Sequence, residues 1–296
     1  MSDNDIENEH DLTDRKFYRA GEESRFVEEA PDRTPQTEHP AYKLAFRDTD
    51  FLLRDELRPV RFQLELLKPE MLLDEARVGS TLVMYGSARI PSPEQAQAKI
   101  DAAEGGDEFE QKVAQRLAEK AKYYDEAYKL SRMVSEKAII EDGKRQFVVV
   151  TGGGPSIMEA GNRGASDAGS ESIGLNIILP HEQAPNSYVT PYLSLNFHYF
   201  ALRKMHFLLR ARAVAVFPGG FGTFDEMFEL LTLVQTGKMK PLPILLFGRE
   251  FWERIIDFEA FAEEGTISKK DLDLFQWCET AEEAWAHIAK FYELDR

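Results

Sequence analysis

Ala213-Val214-Ala215-Val216-Phe217-Pro218-Gly219-Gly220-Phe221-Gly222-Thr223-Phe224-Asp225-Glu226 is the stretch whose reading decides the fold. Its first five residues are all apolar, as in a strand buried on both faces of a parallel sheet. Gly219, Gly220 and Gly222 then let the backbone turn sharply and leave room for a ligand atom against the main chain. Beyond the turn, Met227, Leu230, Leu231 and Val234 recur at i, i+3, i+4 and i+7, the mark of an amphipathic helix. Strand, glycine turn and helix start together make an anion site, because the first helical N–H groups lack partners and the helix dipole is positive there. Thr223 either caps the helix or gives its hydroxyl to a phosphate. Glu226 stands three residues after Thr223, the spacing of a capping box. It suits a catalytic carboxylate equally well, and spacing alone does not separate the two.

The same alternation extends outward. Segments 81–85, 147–150, 172–179, 193–197 and 243–247 read as strands, and 156–168, 199–211, 249–262 and 281–292 as helices. Residues 90–106 form a Pro- and Gly-punctuated insertion. Residues 108–140 form a long helical stretch, with Phe109, Val113, Leu117, Tyr124 and Tyr128 on one face. Apolar strands alternating with helices predict an α/β fold: a Rossmann-like parallel sheet with helices on both faces, plus an N-terminal extension and a helical insertion. Ligands in such sheets bind beyond the carboxyl ends of the strands. Three glycine turns fall there: Gly86-Ser87, 151–155 and 218–223. In the second, Ser156 and Glu159 again match a capping box, and the structural role is taken for Glu159. Gly86, Ser87, Gly152, Gly153, Gly154 and Met158 are expected to line the cleft. No G-x-x-x-x-G-K-[ST] occurs, and Ile157 stands where the dinucleotide fingerprint needs its third glycine. The strand at 172–179 ends without an acidic residue to hold a ribose diol. One strand-end anion site fits a monophosphate better than a diphosphate bridge.

The chain has 296 residues and a formal net charge of −16. Residues 1–40 hold twelve Asp/Glu against five Lys/Arg, leaving −9 for the rest (−16 minus −7). Such a surface disfavours sequence-independent attraction to nucleic acid or anionic membrane, so neither is expected as a partner. No apolar run reaches the length of a membrane span, and the start Met1-Ser2-Asp3-Asn4-Asp5 does not resemble a signal peptide, so a cytoplasmic location is expected. The lone Cys278 allows neither a disulfide framework nor a thiolate metal site, and reads as a small buried hydrophobe. Residues 1–40 read as a disordered acidic tail. Residues 41–77 read as an apolar-rich arm that packs on the core or on a partner subunit; Val60, Phe62, Leu64 and Leu66 alternate as in a strand, but the Leu/Glu/Gln/Arg composition favours a helix. Residues 78–296 read as the Rossmann-like domain that carries the three glycine turns, expected to bind a nucleotide.

Arg203 and Lys204 interrupt an otherwise apolar helical segment just before the 213–217 strand. Residues of this kind usually lie on a solvated face; here they also suit a phosphate or ribose in the cleft, for which the arginine fork is well shaped. His198 and His206 have no metal-ligand companions at a recognisable spacing, and no metal or cofactor is expected.

Arg203-Lys204 followed by Pro218-Gly219-Gly220-Phe221-Gly222-Thr223-Phe224-Asp225-Glu226 resembles the LOG (lonely guy) signature R-K…P-G-G-x-G-T-x-x-E at every position. Gly152–Ala160 (152–160) resembles the family's second glycine motif and Gly86-Ser87 its first, so the resemblance spans about 79–250. An older label for such proteins is lysine decarboxylase, for which this sequence offers no pyridoxal-phosphate lysine motif. The resemblance implies a homodimer or larger assembly that hydrolyses a nucleoside 5′-monophosphate, such as AMP or a cytokinin riboside monophosphate, to free base and ribose 5-phosphate. It implies Arg203 and Glu226 as catalytic residues, and Gly219, Gly220, Gly222, Thr223 and Lys204 as holding phosphate and ribose. The extension at 1–77 and the insertion at 88–142 depart from the short family form. A carrier of nucleotide or molybdenum cofactor is the alternative, although a carrier does not need the Arg203–Glu226 pair. A scaffold using the acidic tail is a third.

Overall fold

The computed structural model describes residues 17–29, 32–180 and 184–294. The chain forms two units, up to Arg61 and from Phe62 onward. In the first, the described residues include a helix at Ala20–Glu29 and a one-turn helix at Pro35–Glu38 that Thr34 caps with a full capping box. The stretch read as a disordered tail therefore contains a helix where it is described, and its first sixteen residues lie outside the described residues.

The second unit is built on seven parallel strands: β1 (Thr81–Tyr85), β2 (Val148–Thr151), β3 (Ile173–Ile177), β4 (Ser194–Phe197), β5 (Ala211–Val216), β6 (Ile244–Phe247) and β7 (Gln276–Cys278). Their order is β4-β3-β2-β1-β5-β6-β7. The chain starts at the centre, builds outward to one edge, then returns to lay β5 against β1 and build to the other. That reversal beside β1 is where such sheets open a crevice. All residues of β1, β2, β3 and β6 are buried, which explains their predominantly apolar runs; Asn176 in β3 is the buried polar residue inside them.

Two apolar cores cover the two faces. One joins Val83, Tyr85, Val214 and Val216 to the helices Phe200–Leu209 and Phe221–Gln235. The other joins Leu82, Met84, Ala213 and Ala215 to the helices Lys122–Glu136, Ile157–Asp167 and Ala281–Tyr292. Segment 58–75 is helical, and from Phe62 it lies in the second unit: Phe62 stacks on Tyr199 with ring centroids 4.0 Å apart, and Arg210 pairs with Glu70 at 2.8 Å and Asp74 at 3.3 Å.

Several boundaries differ from the sequence reading. Residues 90–106 contain the helix Pro93–Asp101. The 108–140 stretch is two helices, Glu108–Ala118 and Lys122–Glu136, followed by a hairpin of Ile140–Glu141 with Lys144–Arg145. Asp142 and Gly143 both take positive φ at its turn, the usual reason for an Asp-Gly hairpin signal, which was passed over. The 249–262 segment breaks where Asp257 caps a new helix, accepting the Ala260 N–H at 2.9 Å. The edge strand β7 was not anticipated, because three residues are too few to show a period.

Two helices pack closely at Gly164, where a Cβ would lie 2.4 Å from the Tyr128 carbonyl oxygen and 2.9 Å from the Arg132 nitrogen. Backbone cannot yield as a side chain can. Gly164→Ala is expected to cost about 1–3 kcal/mol, read as a drop of several degrees in a thermal melt, with ligand binding unchanged in whatever remains folded.

Candidate active site

The three glycine turns extend from β1, β2 and β5, which are neighbours at the sheet centre. They are bonded to one another: the Ser87 N–H donates to the Pro218 carbonyl at 3.1 Å, and the Ile157 N–H to the Ser87 carbonyl at 3.4 Å. The expected cleft residues Gly86, Ser87, Gly152, Gly153, Gly154 and Met158 are therefore brought together with the 218–223 turn. Each glycine of the second turn has its own reason. At Gly153 φ is +74°, and a Cβ would lie 2.1 Å from Asn176 Oδ1. At Gly152 it would lie 2.6 Å from an Arg203 nitrogen and 2.8 Å from Met158 Sδ.

The helix after β5 begins at Phe221 with Gly220 as its N-cap and no side-chain cap. Neither predicted capping box forms. Thr223 already lies inside the first turn, which removes the cap role for both Thr223 and Glu226. Thr223 is buried, and its Oγ1 lies where a Cβ on Gly219 would fall, 2.1 Å away. A Cβ on Gly220 or Gly222 would meet nothing within 4 Å, so the backbone on that side is open. Ser156 does cap its helix by position, but at a φ of +69° and without a side-chain cap bond; its hydroxyl donates to the Ile90 carbonyl instead. Glu159 accepts the Tyr124 hydroxyl at 3.2 Å, a structural role of a different kind from the one expected.

Freed from the cap, Glu226 pairs with Arg203: Nη1 donates to Oε1 at 3.2 Å. The side chains are 13% and 11% exposed, so this is no solvated face. Burial pushes the Glu226 carboxyl up from its ordinary 4.5 to about 7; Arg203 opposes that shift, while the charge of neighbouring Asp225 adds to it. Arg203 is fixed from its other side, where Nε donates to the Leu175 carbonyl at 2.7 Å and the guanidinium lies 5.1 Å from the Phe207 ring centroid. Lys204, expected at phosphate or ribose, is placed differently. Its ammonium is held by Asp225 at 3.1 Å and Glu229 at 2.9 Å, so two carboxylates neutralise it.

Sequence reasoning missed the residues that brace the second turn. Asn186 Nδ2 donates to the Gly153 and Gly154 carbonyls at 3.1 and 2.9 Å and to Asn162 Oδ1 at 3.0 Å. Thr151 Oγ1 donates to that same Asn162 oxygen at 2.7 Å and accepts the Gly153 N–H at 3.0 Å. Asn176, buried mid-strand in β3, donates to the Ser194 hydroxyl at 3.2 Å and the Leu195 carbonyl at 3.1 Å. An asparagine inside an apolar strand was the available signal, since a buried amide must find partners. Tyr85, at the end of β1, also faces the pair: its phenol is held well above its ordinary range by burial first, then by the Glu226 charge.

His206 is buried, its ring 3.2 Å from the Glu65 carbonyl and 3.5 Å from Glu70, a structural place. Cys278 is buried too, and burial lifts its thiol to about 12. Among the described residues no group of three or more His, Cys, Asp or Glu could hold a metal, and no helix is long and apolar enough to cross a membrane.

A parallel α/β sheet with open glycine turns at its carboxyl edge, and a buried carboxylate–guanidinium pair beside them, defines a Rossmann-like α/β protein. A family model described as "Possible lysine decarboxylase" matches residues 158–288. The cytokinin riboside 5′-monophosphate phosphoribohydrolase LOG2 of Arabidopsis thaliana is 27% identical over 153 residues, which is 50% of this chain and 67% of that protein. The likeness to the LOG family read from the motifs is borne out by these two matches. Among solved structures, that of TM1055 is 19% identical, with 71% of this chain and 99% of that chain covered at a TM-score of 0.41. The Moco carrier protein from Chlamydomonas reinhardtii is 15% identical, with 73% and 98% covered at a TM-score of 0.42. At those scores neither carries an argument.

Proposed function

We propose that this chain hydrolyses the N-glycosidic bond of a nucleoside 5′-monophosphate to free base and ribose 5-phosphate. The observation that carries the reading is Glu226: a buried carboxyl poised near pH 7, held by a fixed arginine, beside a helix start whose glycines leave the backbone open. Cleavage of the C1′–N bond sends its electron pair to the base and leaves positive charge on the ribose, as in glycoside hydrolysis. Ionised Glu226 stabilises that charge and takes a proton from the water that attacks C1′. The departing base gains a proton from solvent, and Glu226 returns to solvent the proton it took from the attacking water, so the step consumes one water in all. Arg203 orients Glu226 and ribose. The N–H groups after Gly220, with the Thr223 hydroxyl, bind the 5′-phosphate, and that binding positions the sugar. Lys204 supports the site through Asp225 and Glu229 rather than by touching phosphate.

The relative from Arabidopsis supports a cytokinin riboside monophosphate as one substrate and leaves AMP as another. A second copy seated on the exposed Leu64, Leu67 and Met71, in the cytoplasm, belongs to the same proposal. The test is incubation of purified protein with AMP, GMP, CMP, UMP and a prenylated adenosine monophosphate, followed by chromatography. Free base and ribose 5-phosphate from at least one are expected. Nucleotide bound but recovered intact in every case would favour the carrier reading instead.

A further inference from the structure

A cluster of cations stands out in this acidic chain. The helices Glu108–Ala118 and Arg249–Ile255 flank an open cavity of about 320 Å³. Ser87, Pro218 and Gly219 form one end of it, so it is continuous with the first and third glycine turns. Ile90, Leu117 and Phe251 form its apolar wall, and Lys112, Arg116, Lys120 and Arg254 its charged rim. Among the described residues no Asp or Glu lines it.

These cations are poorly neutralised. Arg116 pairs with Glu119 at 3.3 Å. Lys120 Nζ donates to the Arg116 carbonyl at 2.6 Å and sits 5.9 Å from the Phe251 ring centroid. Among the described residues neither Lys112 nor Arg254 has an acidic partner within ion-pair distance. Burial holds the Lys120 ammonium below its ordinary range, and the Arg116 and Arg254 charges push the same way, against Glu119 and Glu250. Lys112 and Arg116 are four residues apart on one helix, a like-charge spacing that costs stability. A solvated face explains Arg116 with Glu119. It does not explain why Arg254 converges on the same cavity from another helix, or why Lys120 is drawn against an aromatic ring. An apolar wall lowers the local dielectric and strengthens attraction to an anion.

The position decides what the anion is. Ile90 and Leu117 pack with the core on one face of the sheet and Phe251 with the core on the other, so the cavity lies across the carboxyl edge of the sheet, against Ser87, Pro218 and Gly219. The 218–223 turn leads on into the helix that carries Thr223 and Glu226. A phosphate bound at that turn with its ribose on the Glu226 side would turn its remaining oxygens toward the cavity and its cations. Resting on the nucleotide reading above, we infer that this cavity receives the phosphates beyond the first of a nucleoside 5′-diphosphate or triphosphate. The motif turns alone offer one anion site; the insertion helix supplies the second.

The experiment is calorimetric titration of the full chain carrying Glu226→Gln, which prevents turnover, with AMP, ADP and inorganic tripolyphosphate. ADP is expected to bind about ten-fold tighter than AMP. Adding Lys112→Ala and Arg254→Ala, both exposed, brings ADP down to the AMP level, abolishes tripolyphosphate binding and leaves AMP unchanged. The charge-keeping pair Lys112→Arg and Arg254→Lys retains the excess. ADP binding no tighter than AMP, or an excess that survives the alanine pair, overturns the inference while the monophosphate reading stands. Tripolyphosphate binding that depends on Lys112 and Arg254, with AMP and ADP both unbound, overturns the nucleotide assignment and with it the monophosphate reading.

Discussion

Glu226→Gln loses turnover by about 10³-fold and keeps nucleotide affinity within a few-fold. The amide matches the carboxylate in size, so the turn, Thr223 and the phosphate N–H groups stay in place. What disappears is the negative charge that meets the ribose cation and the base that accepts the water proton. Steady-state rates with chromatographic product detection and calorimetry with the same nucleotide check the two halves; unchanged turnover would sink the assignment. In the wild type the working form is ionised, so kcat/KM rises with pH through about 7 and levels above it. The same shift carries a stability signature. The folded-state value of about 7 lies above the ordinary 4.5, so the folded chain resists ionisation between them and wild-type stability falls as pH rises through that window. The glutamine variant lacks this loss. Its melting temperature relative to wild type therefore climbs from pH 4.5 to 7 and is flat beyond.

Arg203→Met loses turnover by about 10²-fold and moves what remains to higher pH. Methionine retains much of the stem against Phe207 but removes the donors to Leu175 and Glu226. Arg203 is the charge that restrains the rise in the Glu226 value; without it the carboxyl goes above 7 and the rate inflection follows. Removing one member of a buried pair leaves the other uncompensated, a cost on the order of 3–5 kcal/mol when it is charged. At low pH Glu226 escapes that cost by keeping its proton. The melting temperature of the variant is therefore lower relative to wild type at pH 9 than at pH 6. An equal deficit at both would mean that the two side chains are not electrostatically coupled.

The sheet was legible because its strands are buried on both faces. Runs such as 147–150 and 213–217 have no polar residue to mislead, and the glycine clusters mark where each run stops. The helix joining 108 to 140 was misread because Lys120 and Ala121 break it without Gly or Pro. Within the site, the resemblance names Arg203 and Glu226 together, but their direct ion pair is not legible, since 23 residues separate them and only the β5 crossover brings them to 3.2 Å. The Thr223–Glu226 spacing suggested a cap that the fold does not use, because Gly220 starts the helix first. Lys204 looked like a phosphate ligand for want of any sign that Asp225 and Glu229 would face it. The amide of Asn186 closes a turn 32 residues or more before it in sequence, which no local pattern records.

The Ser87–Pro218 and Ile157–Ser87 bonds also bear on how the protein is dissected. The site has no owner among the segments: each glycine turn belongs to a different pass of the chain and is held by the others. A fragment that begins at residue 158, where the family match starts, retains Arg203, Glu226 and the 218–223 turn yet lacks β1, β2 and the two turns that support them. Such a fragment has the signature residues without a cleft. Truncations meant to isolate the site must therefore begin ahead of Val78, and the Ser87 and Ile157 amide protons, which bond one turn to another, are expected to exchange together, at the rate of whole-domain opening rather than of local fraying.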